Sequence, residues 1–175
     1  MELREANWDD VEQEFLYVTN TPENENGFTN SYFQISLEEF KGYALPRMLN
    51  HAKGIDLPEG FVPCTEYFLW DKGKIVGWFR LRQKLNDGLK NGAGHIGYGI
   101  KPEYRKMGYA TEGLQMMISI AKDIIEEDEI YMSVRKSNGA SLKVQLKNGA
   151  YIHHEDDKEY YTRIKIGKKE NRHGA

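Results

Sequence analysis

The chain has 175 residues, near the roughly 150 of a single domain, and its 11 Tyr, 7 Phe and 3 Trp set it apart from disordered chains. Basic and acidic residues number 24 and 27, a net charge of −3, which argues against nonspecific nucleic-acid binding as its main work. No apolar run approaches the ~18 residues of a membrane span, the start MELREANWDD lacks a secretory signal pattern, and the lone Cys64 excludes an internal disulfide, so a reducing cytoplasm is expected.

The N-terminal third reads as mostly helical. Asn7 is placed to cap a helix with Asp9 and Asp10 in its first turn and Val11, Phe15 and Val18 at helical spacing, ending near Thr21-Pro22. Pro22 to Asn30 reads as loop. Ser36-Leu37-Glu38-Glu39 is a capping box that opens a second helix running to about Asn50 and bent at Pro46. From Thr65 the period changes. Thr65 to Trp70 and Ile75 to Arg82 form a hairpin about Asp71-Lys72-Gly73-Lys74. Gln83 to Gly94 reads as an exposed loop, and His95 to Ile100 as a third strand stopped at Pro102. A long helix follows, with Ala110, Leu114, Met117, Ile118, Ala121, Ile124 and Ile125 on one face. Ile130 to Val134 is a short strand, Asn138 to Lys147 a helix ended by Asn148-Gly149, and Tyr151 to His153 with Tyr160 to Ile166 a closing hairpin. The order is α-α-β-β-β-α-β-α-β-β. Hairpins outnumber crossovers, so a mixed, mainly antiparallel sheet with helices on both faces is expected.

The chemistry is concentrated in Gly94 to Gly113, GHIGYGIKPEYRKMGYATEG. A strand turns sharply through Arg105-Lys106-Met107-Gly108-Tyr109-Ala110 into the long helix. Backbone N–H groups in such a turn converge, and the helix start adds its own free amides and the positive dipole end. That combination suits a pyrophosphate, the alternative being an ordinary helix N-terminus with loop residues before it. Gly108 permits close approach of the main chain, and Arg105 and Lys106 bring charge. Gly97 and Gly99 share one strand face, where glycine marks close approach of a ligand or another backbone.

Tyr98-Gly99-Ile100-Lys101-Pro102-Glu103-Tyr104-Arg105-Lys106-Met107-Gly108-Tyr109-Ala110 resembles the acetyl-CoA-binding motif of the GNAT superfamily of N-acetyltransferases. Asn138-Gly139-Ala140-Ser141 through Lys147-Asn148-Gly149-Ala150 is similar to the superfamily's second motif, and GHIGYGIKP with the preceding IVGWFRLRQKLND most resembles a bacterial subgroup described as predicted acetyltransferases. The resemblance implies a single GNAT domain over 1–167, with 168–175 a frayed tail, and a GNAT α+β fold with a sheet of about six to seven strands. It implies acetyl-CoA as cosubstrate and acetyl transfer to a primary amine of a small molecule or peptide. The main chain of Tyr98, Gly99 and Ile100 is then expected to pair with the pantetheine arm. Arg105, Lys106, Met107, Gly108, Tyr109 and Ala110 would wrap the pyrophosphate, Asn138 and Ser141 would lie near the pantetheine end, and Lys143 would reach the phosphates or adenosine. A homodimer is also implied.

Direct attack requires an amine of pKa near ~10.4 to lose a proton, an oxyanion donor (by resemblance a backbone N–H near Ile100), and an acid or hydrogen bond for the thiolate. Here the sequence departs from the family pattern. The tyrosine acid seven residues after the motif Asn is replaced by Gln145, and the third strand has no carboxylate. Ser141 or Asn138 can hydrogen-bond the sulfur. His95, Glu66 and Tyr98 are the candidate bases, with structural roles as a strand-end residue, a solvent-facing residue and a core residue as their alternatives.

The acceptor reading is twofold. Glu23 and Glu25, and Glu155, Asp156, Asp157 and Glu159, make two acidic regions that fit a cationic acceptor or simply solvated turns. Arg80 and Arg82 share a strand face and fit a carboxylate instead. His153-His154 lacks a third ligand, so no metal is expected; Cys64 has no local base; no membrane or nucleic-acid partner is expected. A noncatalytic acyl-CoA-binding module is the alternative to the enzyme. A P-loop nucleotide-binding protein is disfavoured, because no Lys-Ser/Thr follows the glycine.

Overall fold

The structure, a computed structural model, describes residues 1–167; the tail expected at 168–175 lies outside them. In chain order the elements are β1 (Glu2–Glu5), α1 (Val11–Thr19), β2 (Asn24–Glu25), β3 (Phe28–Thr29), α2 (Leu37–Glu39), a π-turn (Phe40–Ala44), α3 (Leu45–Ala52), β4 (Cys64–Asp71) and β5 (Lys74–Arg82). Then come α4 (Asp87–Lys90), β6 (Ile96–Ile100), a 3₁₀ turn (Pro102–Tyr104), α5 (Tyr109–Ile124), β7 (Glu129–Arg135), α6 (Gly139–Lys147), β8 (Tyr151–Glu155) and β9 (Glu159–Lys165).

The strands form a four-stranded sheet, β1-β4-β5-β6, and a three-stranded one, β7-β9-β8, with all pairs antiparallel. Strand alternation on β4 divides the interior. Tyr67 and Leu69 join Leu114, Met117 and Ala121 of α5, whereas Phe68 and Trp70 join Tyr17 and Val18 of α1 and Leu45 and Met48 of α3. Helices therefore cover both faces. Gly113 seats α5 on the sheet: a Cβ there would lie 2.4 Å from the Phe79 ring.

The two sheets touch at one seam. Gly94 and Met132 form an isolated bridge, and the His95 N–H donates to the Tyr131 carbonyl at 2.7 Å. Gly94 has φ +67°, and a Cβ on it would stand 2.1 Å from the Tyr131 oxygen, so only glycine fits. Beyond the seam β6 and β7 are the facing edges of separate sheets.

Several local expectations are corrected. The N-terminus starts with β1, paired with β4, where a helical lead-in was expected. The first helix begins at Val11, although the Asn7 side chain does accept the Asp10 amide at 2.9 Å. Pro22–Asn30 contains the β2–β3 hairpin, and Gln83–Gly94 contains α4, capped by Asn86 through the Leu89 amide at 2.9 Å. The Ser36–Glu39 capping box is present. Pro46 follows a π-turn, whose wider hydrogen bonding accommodates the missing proline N–H, and sits in the first turn of α3.

Candidate active site

The space between β6 and β7 is a cavity of about 1000 Å³. One end is the turn into α5. Lys106 (φ +63°) and Gly108 (φ +89°) both adopt left-handed backbone, which turns successive amides to one side. Among the described residues, the amides of Lys106 through Thr111 donate to no protein acceptor; the ladder of α5 starts with the Glu112 amide on the Gly108 carbonyl. This is an anion cradle at the positive end of a long helix. Arg105 braces it: its Nε donates to the Ile100 carbonyl at 3.0 Å, and its guanidinium pairs with Glu25 of the β2–β3 hairpin.

Main-chain donors run along the cavity wall. The Lys101 amide donates to the Val76 carbonyl of β5, and amides alternate sides along a strand, so those of Tyr98 and Ile100 face the cleft. Across the cleft, Asn138 caps α6 by accepting the Ser141 amide at 3.2 Å. Tyr98 spans the gap. Its hydroxyl lies 2.7 Å from Ser141 Oγ and 3.2 Å from the Ser141 carbonyl, and its ring stacks on Phe79. Burial pushes the Tyr98 phenol up to about 12, so it is a proton-bearing donor at neutral pH.

Tyr98, Gly99, Ile100, Arg105, Lys106, Gly108, Tyr109, Ala110, Asn138, Ser141 and Lys143 all line the cavity. Met107 does not; its side chain is exposed. Two candidate bases also stand outside the lining. Glu66 is not solvent-facing but accepts from Trp78 Nε1 at 2.6 Å and from Arg80 Nε at 2.8 Å. His95 is fully buried at the seam: Nδ1 accepts the Tyr131 amide at 2.9 Å and Nε2 lies 3.0 Å from Glu127. Because Nδ1 accepts the Tyr131 amide, Nε2 carries the ring proton toward Glu127, and burial holds the imidazole below its usual pKa. Gln145, where the family pattern has a tyrosine, is buried and accepts from Thr162 Oγ1 at 2.6 Å while lining the cavity.

The sequence model of the Acetyltransferase (GNAT) domain matches residues 1–151. The chain belongs to the GNAT acetyltransferase family. Acetyl-CoA is accordingly its cosubstrate. A comparison with curated proteins finds no match. Among solved structures the fold is similar to Campylobacter jejuni N-acetyltransferase PseH in complex with acetyl coenzyme A, at 16% identity and TM-score 0.61, covering 95% of this chain and 99% of that one. RimL, a ribosomal L7/L12 alpha-N-protein acetyltransferase in complex with coenzyme A, gives 17%, 0.66, and coverage of 94% and 93%. A spermidine N-acetyltransferase SpeG chimera from Vibrio cholerae and hSSAT gives 15%, 0.61, and 94% of each chain.

In this GNAT domain the β2–β3 hairpin is the part sequence reading missed. It reaches over the cleft: Glu25 meets Arg105, Phe28 packs on Gly97 and Gly99, and Gly27 approaches Arg135 of β7. The face shared by Gly97 and Gly99 therefore receives an aromatic ring from the protein itself. The signal was present in Asn26-Gly27, a pair suited to a tight hairpin turn, with both residues at positive φ.

Proposed function

We propose that this GNAT domain moves the acetyl group of acetyl-CoA to a primary amine of a small molecule or peptide by direct attack, acting in the cytoplasm as a single domain over 1–167. The observation that carries this reading is the row of unpaired amides from Lys106 to Thr111 at one end of a cavity whose wall presents the Tyr98 and Ile100 amides. The cradle takes the diphosphate through N–H groups and the α5 dipole, with Lys106 and Lys143 adding charge. Asn138 and Ser141 border the pantetheine end.

As the C–N bond forms and the C–S bond breaks, negative charge develops first on the carbonyl oxygen and then on sulfur. The Ile100 or Tyr98 amide suits the first, since neither donates to β5. The Tyr98 hydroxyl suits the second: with its pKa near 12 it keeps a proton to donate, and it lies beside Gln145, the position where the family pattern has a tyrosine. Neither His95 nor Glu66 has a free face toward the cavity, so the amine proton leaves to water in the open cleft. Calorimetry with acetyl-CoA, CoA and ATP, followed by thiol release with a panel of amines, tests the reading. Binding of acetyl-CoA with thiol release supports it; binding without release from any amine leaves only the noncatalytic module, and tight ATP binding without CoA binding overturns both.

A further inference from the structure

The cavity has a second cationic end. The Arg82 amide donates to the His95 carbonyl, which sets Arg82 beside the start of β6, and Arg105 holds the Ile100 carbonyl at its finish. A strand rises about 3.4 Å per residue, so those two carbonyl positions are about 17 Å apart. A diphosphate in the amide cradle is therefore remote from Arg82. Arg80 and Arg82, two apart on β5, both line the cavity.

The charges at this end do not cancel. Glu66 is the nearby carboxylate, and it is occupied by Arg80 Nε and the Trp78 indole. Arg82 donates through one guanidinium nitrogen to the Gly94 carbonyl at 3.2 Å and, among the described residues, forms no ion pair. Burial lowers its pKa from the usual arginine value, with the like charge of Arg80 acting in the same direction. A half-buried guanidinium facing a cavity without a counter-ion is a site for an anion. Arg135 also lines the cavity and stands opposite Glu159 in the β7–β9 pairing.

Of the acidic residues that would hold a cationic acceptor, three are engaged elsewhere, while Glu159 lines the cavity and forms no ion pair among the described residues. Glu25 pairs with Arg105 and Glu155 with Lys136, while Asp156 accepts the Tyr161 hydroxyl and the amides of Lys158 and Glu159.

We infer that the acceptor is a small amine that also carries an oxyanion group, a carboxylate or a phosphate, held by Arg82 at the end of the cleft away from the amide cradle. This rests on the acetyl-transfer reading and names its substrate class. The fork of Arg82 fixes the acid group, and the amine then lies toward the Tyr98 main chain.

The experiment is thiol release from acetyl-CoA with matched amines: amino acids of increasing chain length, aminoalkyl phosphates of the same lengths, and the corresponding amino-acid amides and polyamines. The wild type is expected to favour the acid-bearing amines over their neutral partners by about 10- to 100-fold in kcat/KM, and the two acid series tell carboxylate from phosphate. In Arg82→Gln that ratio falls toward one through KM, and Arg82→Lys restores part of it; acetyl-CoA titration of each variant reports that it is folded. Equal or better use of neutral amines or polyamines by the wild type, or an unchanged ratio in Arg82→Gln, overturns the inference while leaving acetyl transfer intact. Acetyl-CoA binding without thiol release from any amine overturns the transfer reading, and this inference with it.

Discussion

The Tyr98 hydroxyl and Ser141 Oγ lie 2.7 Å apart, joining the middle of β6 to the first turn of α6 across the cleft. The contact links the edge of one sheet to the helix that follows the edge of the other. It also leaves a phenol, with its proton, beside the Gln145 position.

Tyr98→Phe is expected to lower kcat by about 10- to 100-fold, the scale of a lost proton donor, while the acetyl-CoA dissociation constant moves by less than about threefold. Single-turnover thiol release and calorimetry separate the two. In the wild type no limb of the pH–rate profile below about 11 should belong to this phenol, because its pKa is near 12.

Gly108→Ala tests the amide cradle. An added methyl meets no neighbour nearer than Glu112 Oε1 at 3.9 Å, so the stability cost is that of φ +89° alone, about 1–2 kcal/mol by thermal unfolding. If the proposed cradle holds the diphosphate against the main chain at Gly108, the added methyl obstructs that approach, and the dissociation constant for acetyl-CoA should rise about tenfold or more. A fall in stability with unchanged acetyl-CoA affinity would refute the cradle.

His95→Ala separates the seam from the chemistry. It leaves the Tyr131 amide and Glu127 without their partner, a loss of about 2–4 kcal/mol in urea unfolding. The folded imidazole resists protonation, so its contribution is present above about pH 6.5 and is lost as pH falls through the folded pKa. The variant should lose that acid dependence of stability, yet keep any acid limb of kcat/KM. A vanished acid limb would instead mark His95 as the base.

Glu14 gives the opposite slope. Its carboxyl is fully buried; Oε1 accepts the Asn7 amide at 3.0 Å, Oε2 has no partner among the described residues, and burial pushes its pKa up to about 8. The unfolded carboxyl ionises near 4.5. Its stabilisation is therefore complete below about pH 4.5 and disappears as pH rises through about 8, a change on the order of a few kcal/mol. Glu14→Gln should flatten urea-unfolding stability across that range. An unchanged slope would mean that the carboxyl is ionised in the fold.

Long periodic segments were legible in the sequence. The face of Leu114, Met117, Ile118 and Ala121 specified α5, and the aromatic and β-branched run Thr65 to Trp70 specified a strand, whereas the different core on each of its faces came from the structure. The missing elements are short: β2 and β3 have two residues each, and β1 and α4 four. Their stability comes from neighbours distant in the chain, such as the Phe28 ring on Trp78 or the pairing of Leu3 with Leu69, so no local period announces them.

The same distinction runs through the functional site. By itself the sequence marked out the amide turn leading into α5, because Arg105 to Ala110 and the start of α5 are contiguous and their backbone geometry is local. Tertiary structure alone decided which side chains reach the cleft. It buried His95 at the seam, closed Glu66 onto Trp78 and Arg80, and brought Tyr98 to Ser141, 43 residues away in sequence. The net charge of −3 says nothing of the uncancelled guanidinium of Arg82. Those relations depend on which strand edges meet and where they part, and no neighbouring residues in the chain encode that.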